Sequence, residues 1–191
     1  MTDDAFVRLF QARAAAAGHY AGKIDGDAGP ATVAALDKSL PPAVTSPTQP
    51  MMGADKLAGV HNALAGVIRE AVLRSPVPFA VIEGLRSRER QAQLVKAGAS
   101  RTMNSRHITG HAVDLWPLDP ATMKRLPSDA AFKRGSPEAR AADKALWDGL
   151  RAIAATVQDV ARAQGVTVTW GGSWAGFPDG PHFEIDPKTY S

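Results

Sequence analysis

Two short stretches, SRHITGHAVD (residues 105–114) and DGPHFE (residues 179–184), decide how the larger part of this chain folds. HAVDLW, which overlaps the first stretch, predicts a β-strand. HFEI, which overlaps the second, alternates so that His182 and Glu184 share one face while Phe183 and Ile185 point to the core. These stretches raise the question of whether folding brings their histidines and acids together in one site.

The rest of the larger region mixes strands and helices without a regular order. Apolar spacing indicates further strands at 78–83 and 166–170, and helices at 55–71, 91–98 and 146–160. His61 falls beside the apolar face of the first helix and is interpreted as a packed core histidine. Because no strand–helix–strand repeat is visible, the pattern predicts an α+β fold: a small antiparallel sheet with flanking helices that carries a metal site. A short helical module precedes it.

Composition shifts predict three segments along the chain. Residues 1–40 read as two short helices around the Asp25-Gly26 turn signal. PPAVTSPTQPMMGA, residues 41–54, has four prolines and no periodicity, which is typical of a semi-rigid linker. Residues 55–191 would form the main domain, in which 117–140 is predicted to be a long loop.

Composition also limits the classes of partner and site. The chain has no cysteine, so any metal must be held by His, Asp or Glu. Net charge is +3, which suits an anionic polymer such as a cell wall, but no basic run with interleaved aromatics favours nucleic acid. No signal peptide or membrane span is recognisable. We expect a monomer made in the host or bacterial cytoplasm, which acts on the cell wall after release.

The best candidate metal ligands are His107, Asp114 and His182. Gly110 lets the backbone turn between the first two, which lie seven positions apart. Two imidazoles and one carboxylate, with the fourth position left to water, are the ligands of a catalytic zinc. The rival pair, His107 and His111, has the spacing of a zinc-binding helix, but Gly110 and the flanking β-formers disfavour a helix there.

Other polar and aromatic residues near these stretches have two interpretations each. Asp179 could act as a general base beside the metal or could merely belong to an Asp-Gly turn, and Glu184 is the next candidate base. Arg86, after a strand and a glycine, could stabilise an oxyanion or begin a solvated helix. Trp170, with Trp174, could line a substrate cleft or close the core.

The assembled motifs resemble a known enzyme family. SRHITGHAVD fits S-x-H-x-x-G-x-A-x-D, GLRSRERQAQL (residues 84–94) fits G-x-R-S-x-x-x-Q-x-x-L, and WGGSW precedes DGPHFE in the expected order. Together they resemble the zinc D-alanyl-D-alanine carboxypeptidase and L-alanyl-D-glutamate endopeptidase family, which includes many phage endolysins. Two departures are Ser173, where endolysin members usually have Asp, and the long 117–140 loop.

The resemblance implies a function and a role for each matched residue. One zinc per chain would bind His107, Asp114 and His182, Asp179 would be the general base, Arg86 the electrostatic stabiliser, and Ser105 a cleft residue. Peptidoglycan would be the substrate, and the chain would act as an L-alanyl-D-glutamate endopeptidase, the phage endolysin that lyses the host. The alternatives are a bacterial D,D- or L,D-carboxypeptidase and a non-catalytic, zinc-stabilised wall-binding protein. Residues 1–40 resemble a shortened peptidoglycan-binding module.

Overall fold

The computed structural model describes residues 3–39 and 51–190. The chain divides into two units, Met1–Thr48 and Gln49–Ser191. Most of the predicted linker, residues 41–50, lies outside the described residues, so the predicted domain boundaries stay predictions. No helix in the described ranges is long and apolar enough to cross a membrane.

The smaller unit is organised around one buried glutamine. Helices α1 (Asp3–Ala16) and α2 (Pro30–Ser39) flank the turn region. Gln11 is fully buried; its Nε2 lies 3.0 Å from Asp25 Oδ1 and 3.0 Å from Thr32 Oγ1, and its Oε1 accepts from the Gly26 N–H at 2.9 Å. Leu9 of α1 and Val33 of α2, in contrast, are about half exposed. The hydrogen bond between Gln11 and Thr32 joins the two helices in the interior of this unit.

The larger unit confirms the predicted α+β fold. Its strands are β1 (Phe79–Glu83), β2 (Ala112–Pro117), β3 (Thr169–Trp170) and β4 (His182–Glu184), and its α-helices are α3 (Asn62–Arg74), α4 (Arg88–Lys96) and α5 (Pro137–Ala163). Short 3₁₀ helices cover Ala54–Leu57, Arg106–Thr109, Asp129–Ala131 and Gly171–Ser173. The strands form one sheet in the order β1-β2-β4-β3, and every neighbouring pair is antiparallel.

The core lies between the sheet and the helices α3 and α5. Leu64 and Ile68 of α3 and Ile153 of α5 are fully buried against Val113 and Phe183 of the sheet. Each such side chain contributes about 1.5–3 kcal/mol by leaving water. This packing fixes the strands β2 and β4, which carry two of the predicted metal ligands.

Three local predictions differ from the structure. The helix predicted from Asp55 is interrupted, because Gly59 takes a left-handed conformation (φ 74°) and α3 begins only at Asn62. His61 is half-buried rather than a core residue, and its Nδ1 caps α3 by accepting from the Ala63 N–H at 3.2 Å. The predicted 117–140 loop is shorter than expected, since Pro137 already starts α5.

Residues 51–54, assigned to the linker by composition, contact the larger unit. The Met52 carbonyl accepts from the Val81 N–H at 2.9 Å, and the half-buried Met51 packs against the core. Gly53 has φ 76°, and a Cβ there would lie 2.1 Å from the Val81 carbonyl oxygen. This segment therefore lies against strand β1 through close backbone contact.

A fragment of residues 51–191 should fold by itself and melt at a higher temperature than a fragment of residues 55–191. The shorter fragment leaves the Val81 N–H without its partner and exposes the surface under Met51. We expect a loss of about 1–3 kcal/mol in the free energy of unfolding. Thermal denaturation followed by circular dichroism measures the difference. Equal melting temperatures would show that residues 51–54 contribute nothing, and two unfolded fragments would show that the unit boundary is wrong.

Candidate metal centre

Local geometry places His107, Asp114 and His182 side by side. Asp114 on β2 pairs directly with His182 on β4, so their side chains lie on one face of the sheet. His107 belongs to the 3₁₀ helix Arg106–Thr109, which ends at Gly110 in a left-handed conformation (φ 72°). That turn leads the chain into β2 and brings His107 over Asp114, as the sequence predicted for the glycine.

The facing atoms of these three residues form a nearly equilateral triangle. Asp114 Oδ1 lies 3.2 Å from His107 Nε2 and 3.2 Å from His182 Nδ1, and the two nitrogens are 3.3 Å apart. Ligands bound tetrahedrally at zinc distances of roughly 2.0–2.2 Å are separated by about 3.3–3.6 Å. The donor set and its spacing therefore fit one zinc-sized ion. In the described part of the chain, no other group of three His, Asp or Glu side chains converges in this way.

The outer nitrogens of both histidines are held by acceptors. His107 Nδ1 lies 2.8 Å from the Gly84 carbonyl oxygen, and His182 Nε2 lies 3.0 Å from Glu184 Oε2. A carbonyl or carboxylate oxygen only accepts, so each outer nitrogen carries the hydrogen of a neutral ring. When both rings are neutral, as metal binding requires, the two inner nitrogens present lone pairs to each other and to Asp114. Three electron-rich atoms at this spacing repel one another unless a cation lies between them. Hydrogen-bond acceptors on the outer ring nitrogens are also typical of metal-binding histidines.

The electrostatics of the triangle favour charged groups. Burial raises the pKa of Asp114, but hydrogen bonds from His107 and His182 outweigh it and hold that pKa well below its usual range. Burial lowers the pKa of His182, but hydrogen bonds to Asp114 and Glu184 outweigh it and raise the pKa to about 9. Without a metal, a proton on His182 compensates the Asp114 carboxylate, so a metal must displace that proton.

Zinc affinity should therefore rise with pH. At any pH below about 9, binding must remove a proton from His182, whose pKa lies near that value. Affinity should increase about tenfold per unit between about pH 6 and about pH 8, with release of roughly one proton per zinc. Calorimetric titration against a competing chelator, repeated in buffers of different ionisation enthalpy, measures both quantities. An affinity independent of pH would contradict the protonated state of metal-free His182.

Asp179 lies beside the triangle without belonging to it. Its half-buried side chain lines the same cleft as the three predicted ligands. Burial raises its pKa, and so does the Asp114 carboxylate, while His182, His107 and Arg86 oppose the increase. A carboxylate whose pKa lies above its usual value accepts a proton more readily, as a general base must.

Gly171 controls how closely Asp179 and His182 approach the neighbouring backbone. The Gly171 carbonyl accepts from the Asp179 N–H at 2.9 Å. A Cβ at position 171 would lie 2.7 Å from the Asp179 carbonyl oxygen and 3.0 Å from His182 Cβ. Any side chain at this position would push against both residues. The WGGSW motif had suggested only a possible cleft wall, and this role of its first glycine was not predicted.

Arg86 is buried and rigidly held. Its Nε and Nη2 each donate to the Glu83 carboxylate at 2.7 Å, and its Nη1 donates to Gln91 Oε1 at 2.7 Å. Nη2 also lies 3.6 Å from Asp114 Oδ2, the oxygen that faces away from the histidines. The alternative of a solvated helix start is wrong, since the Arg86 side chain is 8% exposed and Ser87 caps α4. The partners Glu83 and Gln91 were not predicted.

The site opens into a cleft of about 870 Å³. Ser105 lies at its wall, where its Oγ caps the 3₁₀ helix by accepting from the His107 N–H at 3.4 Å. The aromatic wall consists of Trp116, Trp174 and Phe177. Trp174 lies against the His182 ring, with 5.1 Å between centroids.

Trp170, predicted to bind substrate, is placed elsewhere. It stacks on Phe183 of the core, and its Nε1 donates to the Gly180 carbonyl at 2.7 Å. Trp170 thus takes the core position that the sequence left open, whereas Trp174 lines the cleft. Trp170, at the end of β3, points inward, and the 3₁₀ turn Gly171–Ser173 then carries the chain to Trp174, which faces the cleft.

His111 is turned away from the triangle, as predicted. Its Nε2 contacts the Tyr190 carbonyl at 2.6 Å, and its Nδ1 contacts Thr109 Oγ1 at 3.0 Å. Its ring stacks on His61, with 5.4 Å between centroids. Both nitrogens are thus engaged far from the candidate ligands.

Comparisons with known proteins agree with this geometry. A family profile described as phage L-alanyl-D-glutamate peptidase matches residues 50–134, and one described as D-alanyl-D-alanine carboxypeptidase matches residues 98–185. Among solved structures, the Serratia marcescens L-Ala D-Glu endopeptidase ChiX is 41% identical, with a TM-score of 0.58 over 71% of this chain and 87% of that one. The chain belongs to the D-alanyl-D-alanine carboxypeptidase and L-alanyl-D-glutamate endopeptidase family.

A curated member of this family extends beyond the length matched here. The L-alanyl-D-glutamate peptidase of Listeria phage A118 is 28% identical over 136 residues. The match covers 71% of this chain but 40% of that peptidase. Both profiles thus place the family's shared region in the larger part of the chain.

Proposed function

We propose that this chain is a zinc peptidase that hydrolyses the L-alanyl-D-glutamate bond of peptidoglycan stem peptides, as a phage-type endolysin does. The observation that carries the proposal is the triangle of His107, Asp114 and His182 with Asp179 beside it in an open cleft. Both relatives named above are described as peptidases of this bond. A site built only to stabilise the fold would be closed by a fourth protein ligand.

Within this proposal, His107, Asp114 and His182 hold one zinc ion, and Asp179 moves the proton. Zinc at such a site supplies Lewis-acid chemistry and lowers the pKa of water that it binds. Asp179 accepts the proton of the attacking water and returns it to the leaving amine. Its raised pKa suits both steps, because the carboxyl group can then be protonated and deprotonated within one turnover.

Arg86 is proposed as the electrostatic stabiliser of the oxyanion formed on the substrate carbonyl. Glu83 and Gln91 take three of its N–H groups and hold the guanidinium plane in place. The second hydrogens of Nη1 and Nη2 can still donate, one of them near Asp114. A donor fixed before the reaction costs no reorganisation when charge develops.

Digestion of purified peptidoglycan by the zinc-loaded protein tests the proposal. Mass spectrometry should identify a new alanine carboxyl terminus and a new glutamate amino terminus. Release of free D-alanine would instead support a carboxypeptidase, the candidate that the second matching profile favours. Binding to the wall without any new terminus would support the non-catalytic alternative.

The smaller unit is proposed to bind peptidoglycan. Its support is the resemblance of residues 9–36 to a wall-binding module and the ordering of its Asp25-Gly26 turn by Gln11. Co-sedimentation with insoluble walls, compared between the full chain and residues 51–191, tests this role. A fragment that sediments as strongly as the full chain would contradict it.

A further inference from the structure

A second positively charged side chain lies in the cleft, apart from the catalytic machinery. The guanidinium carbon of Arg101 lies 4.0 Å from the ring centroid of Phe177. Both residues line the cleft that contains the metal triangle, and Phe177 precedes Asp179 by two positions. The contact therefore places one face of the guanidinium against the aromatic wall of this cleft.

The residues on both sides of Arg101 are held by hydrogen bonds from one buried side chain, Gln91. Gln91 of α4 is fully buried, and its Nε2 donates to Ser100 Oγ at 2.8 Å and to the Thr102 carbonyl at 2.6 Å. The same Gln91 accepts from Arg86 through its Oε1. Gln91 thus links the segment that carries Arg101 to Arg86, the proposed electrostatic stabiliser.

Arg101 is not neutralised within the described residues. No carboxylate there lies within 4.0 Å of its guanidinium, whereas Arg86 in the same cleft is paired with Glu83 and lies near Asp114. An arginine stacked on an aromatic ring keeps the edge of its planar fork available for a bidentate carboxylate. The contacts of Arg101 therefore suit an anion from outside the chain.

The proposed substrate carries such an anion beside the bond to be cut. A glutamyl residue has two carboxyl groups, and only one of them can continue the peptide. The other remains a free carboxylate a few bonds from the nitrogen that becomes the leaving amine. We infer that Arg101, held by Phe177 and Gln91, is a specificity-determining residue that binds this carboxylate. The inference rests on the proposed function and names the group that the site recognises.

Two soluble peptides and three variants of the full, zinc-loaded chain test this inference. One peptide contains L-alanyl-D-glutamate, and the other has the free carboxylate of the same residue converted to an amide. Arg101→Ala should lower kcat/KM for the carboxylate peptide by roughly 10- to 100-fold, the range of a lost charged hydrogen bond, and change it less than about threefold for the amide. Arg101→Lys should recover only part of the loss.

Arg88→Ala is the matched control, because Arg88 is an exposed arginine on α4 that does not line this cleft. It removes the same charge and should affect both peptides alike, by less than about threefold. Equal losses on both peptides in Arg101→Ala, or an equal selectivity change in Arg88→Ala, would overturn the inference and leave the proposed function intact. If the wild-type protein cleaves neither peptide, the proposed function fails and the inference fails with it.

Discussion

Asp179→Asn should lower hydrolysis of stem peptides by roughly 10²- to 10⁴-fold while zinc stays bound. The asparagine keeps nearly the same shape but cannot accept the proton of the attacking water. The three predicted ligands are untouched, and the Asp179 N–H still donates to Gly171. Because the loss lies in the transition state, kcat should fall far more than KM changes. Steady-state kinetics and elemental analysis of the same preparation measure both effects.

Asp159→Asn provides the matched control, since Asp159 is an exposed carboxylate on α5 that pairs only with Arg162 among the described residues. This variant should keep full activity. A folded, zinc-loaded Asp179→Asn protein with an undiminished rate would remove Asp179 from the mechanism. Glu184, the alternative base, would then need testing, although its carboxylate holds the outer nitrogen of His182.

His107→Ala should abolish zinc binding and, with it, measurable activity. It removes one corner of the triangle and also leaves the Gly84 carbonyl without its partner. With one of three protein ligands deleted, the two that remain cannot hold zinc in its tetrahedral coordination. His182→Ala should behave in the same way. Elemental analysis after dialysis, with peptidase assays on the same samples, measures the outcome at about one zinc per wild-type chain.

His111→Ala is the control for this second prediction, because it removes a histidine four positions from His107 that contacts Tyr190 instead of the triangle. It should retain zinc and most activity. The stacking on His61 is lost, so some loss of thermal stability is expected. Zinc lost in His111→Ala and kept in His107→Ala would reverse the ligand assignment.

The candidate site could be predicted because its residues lie in two short stretches whose local sequence indicates their conformation. Asp114 and His182 lie within predicted strands, and the period of two places each on a definite face. Gly110 marks the turn that separates His107 from its strand. Residue types, spacing and order along the chain therefore limited the site to few arrangements.

The features that sequence reasoning missed depend on long-range packing. Nothing local distinguishes Trp170 from Trp174, since the choice depends on Phe183 lying under one of them. The buried position of Gln11 follows from the Asp25-Gly26 turn and Thr32 of α2 meeting at one amide of α1, which no apolar pattern reveals. Likewise, the break at Gly59 depends on the close approach of Leu85, whose Cδ2 would lie 2.6 Å from an added Cβ.

The tight contact at the buried Gly171 marks a position of the site that does not tolerate substitution. Substitution at Gly171 would disturb Asp179 and His182 together, so sequence variation there is incompatible with the present site. Arg101 and Phe177, in contrast, are exposed side chains on loops whose replacement leaves the sheet intact. Related enzymes could therefore diverge in the stem peptides they accept by exchanging rim residues alone, which makes these two positions the natural starting point for directed evolution of wall specificity.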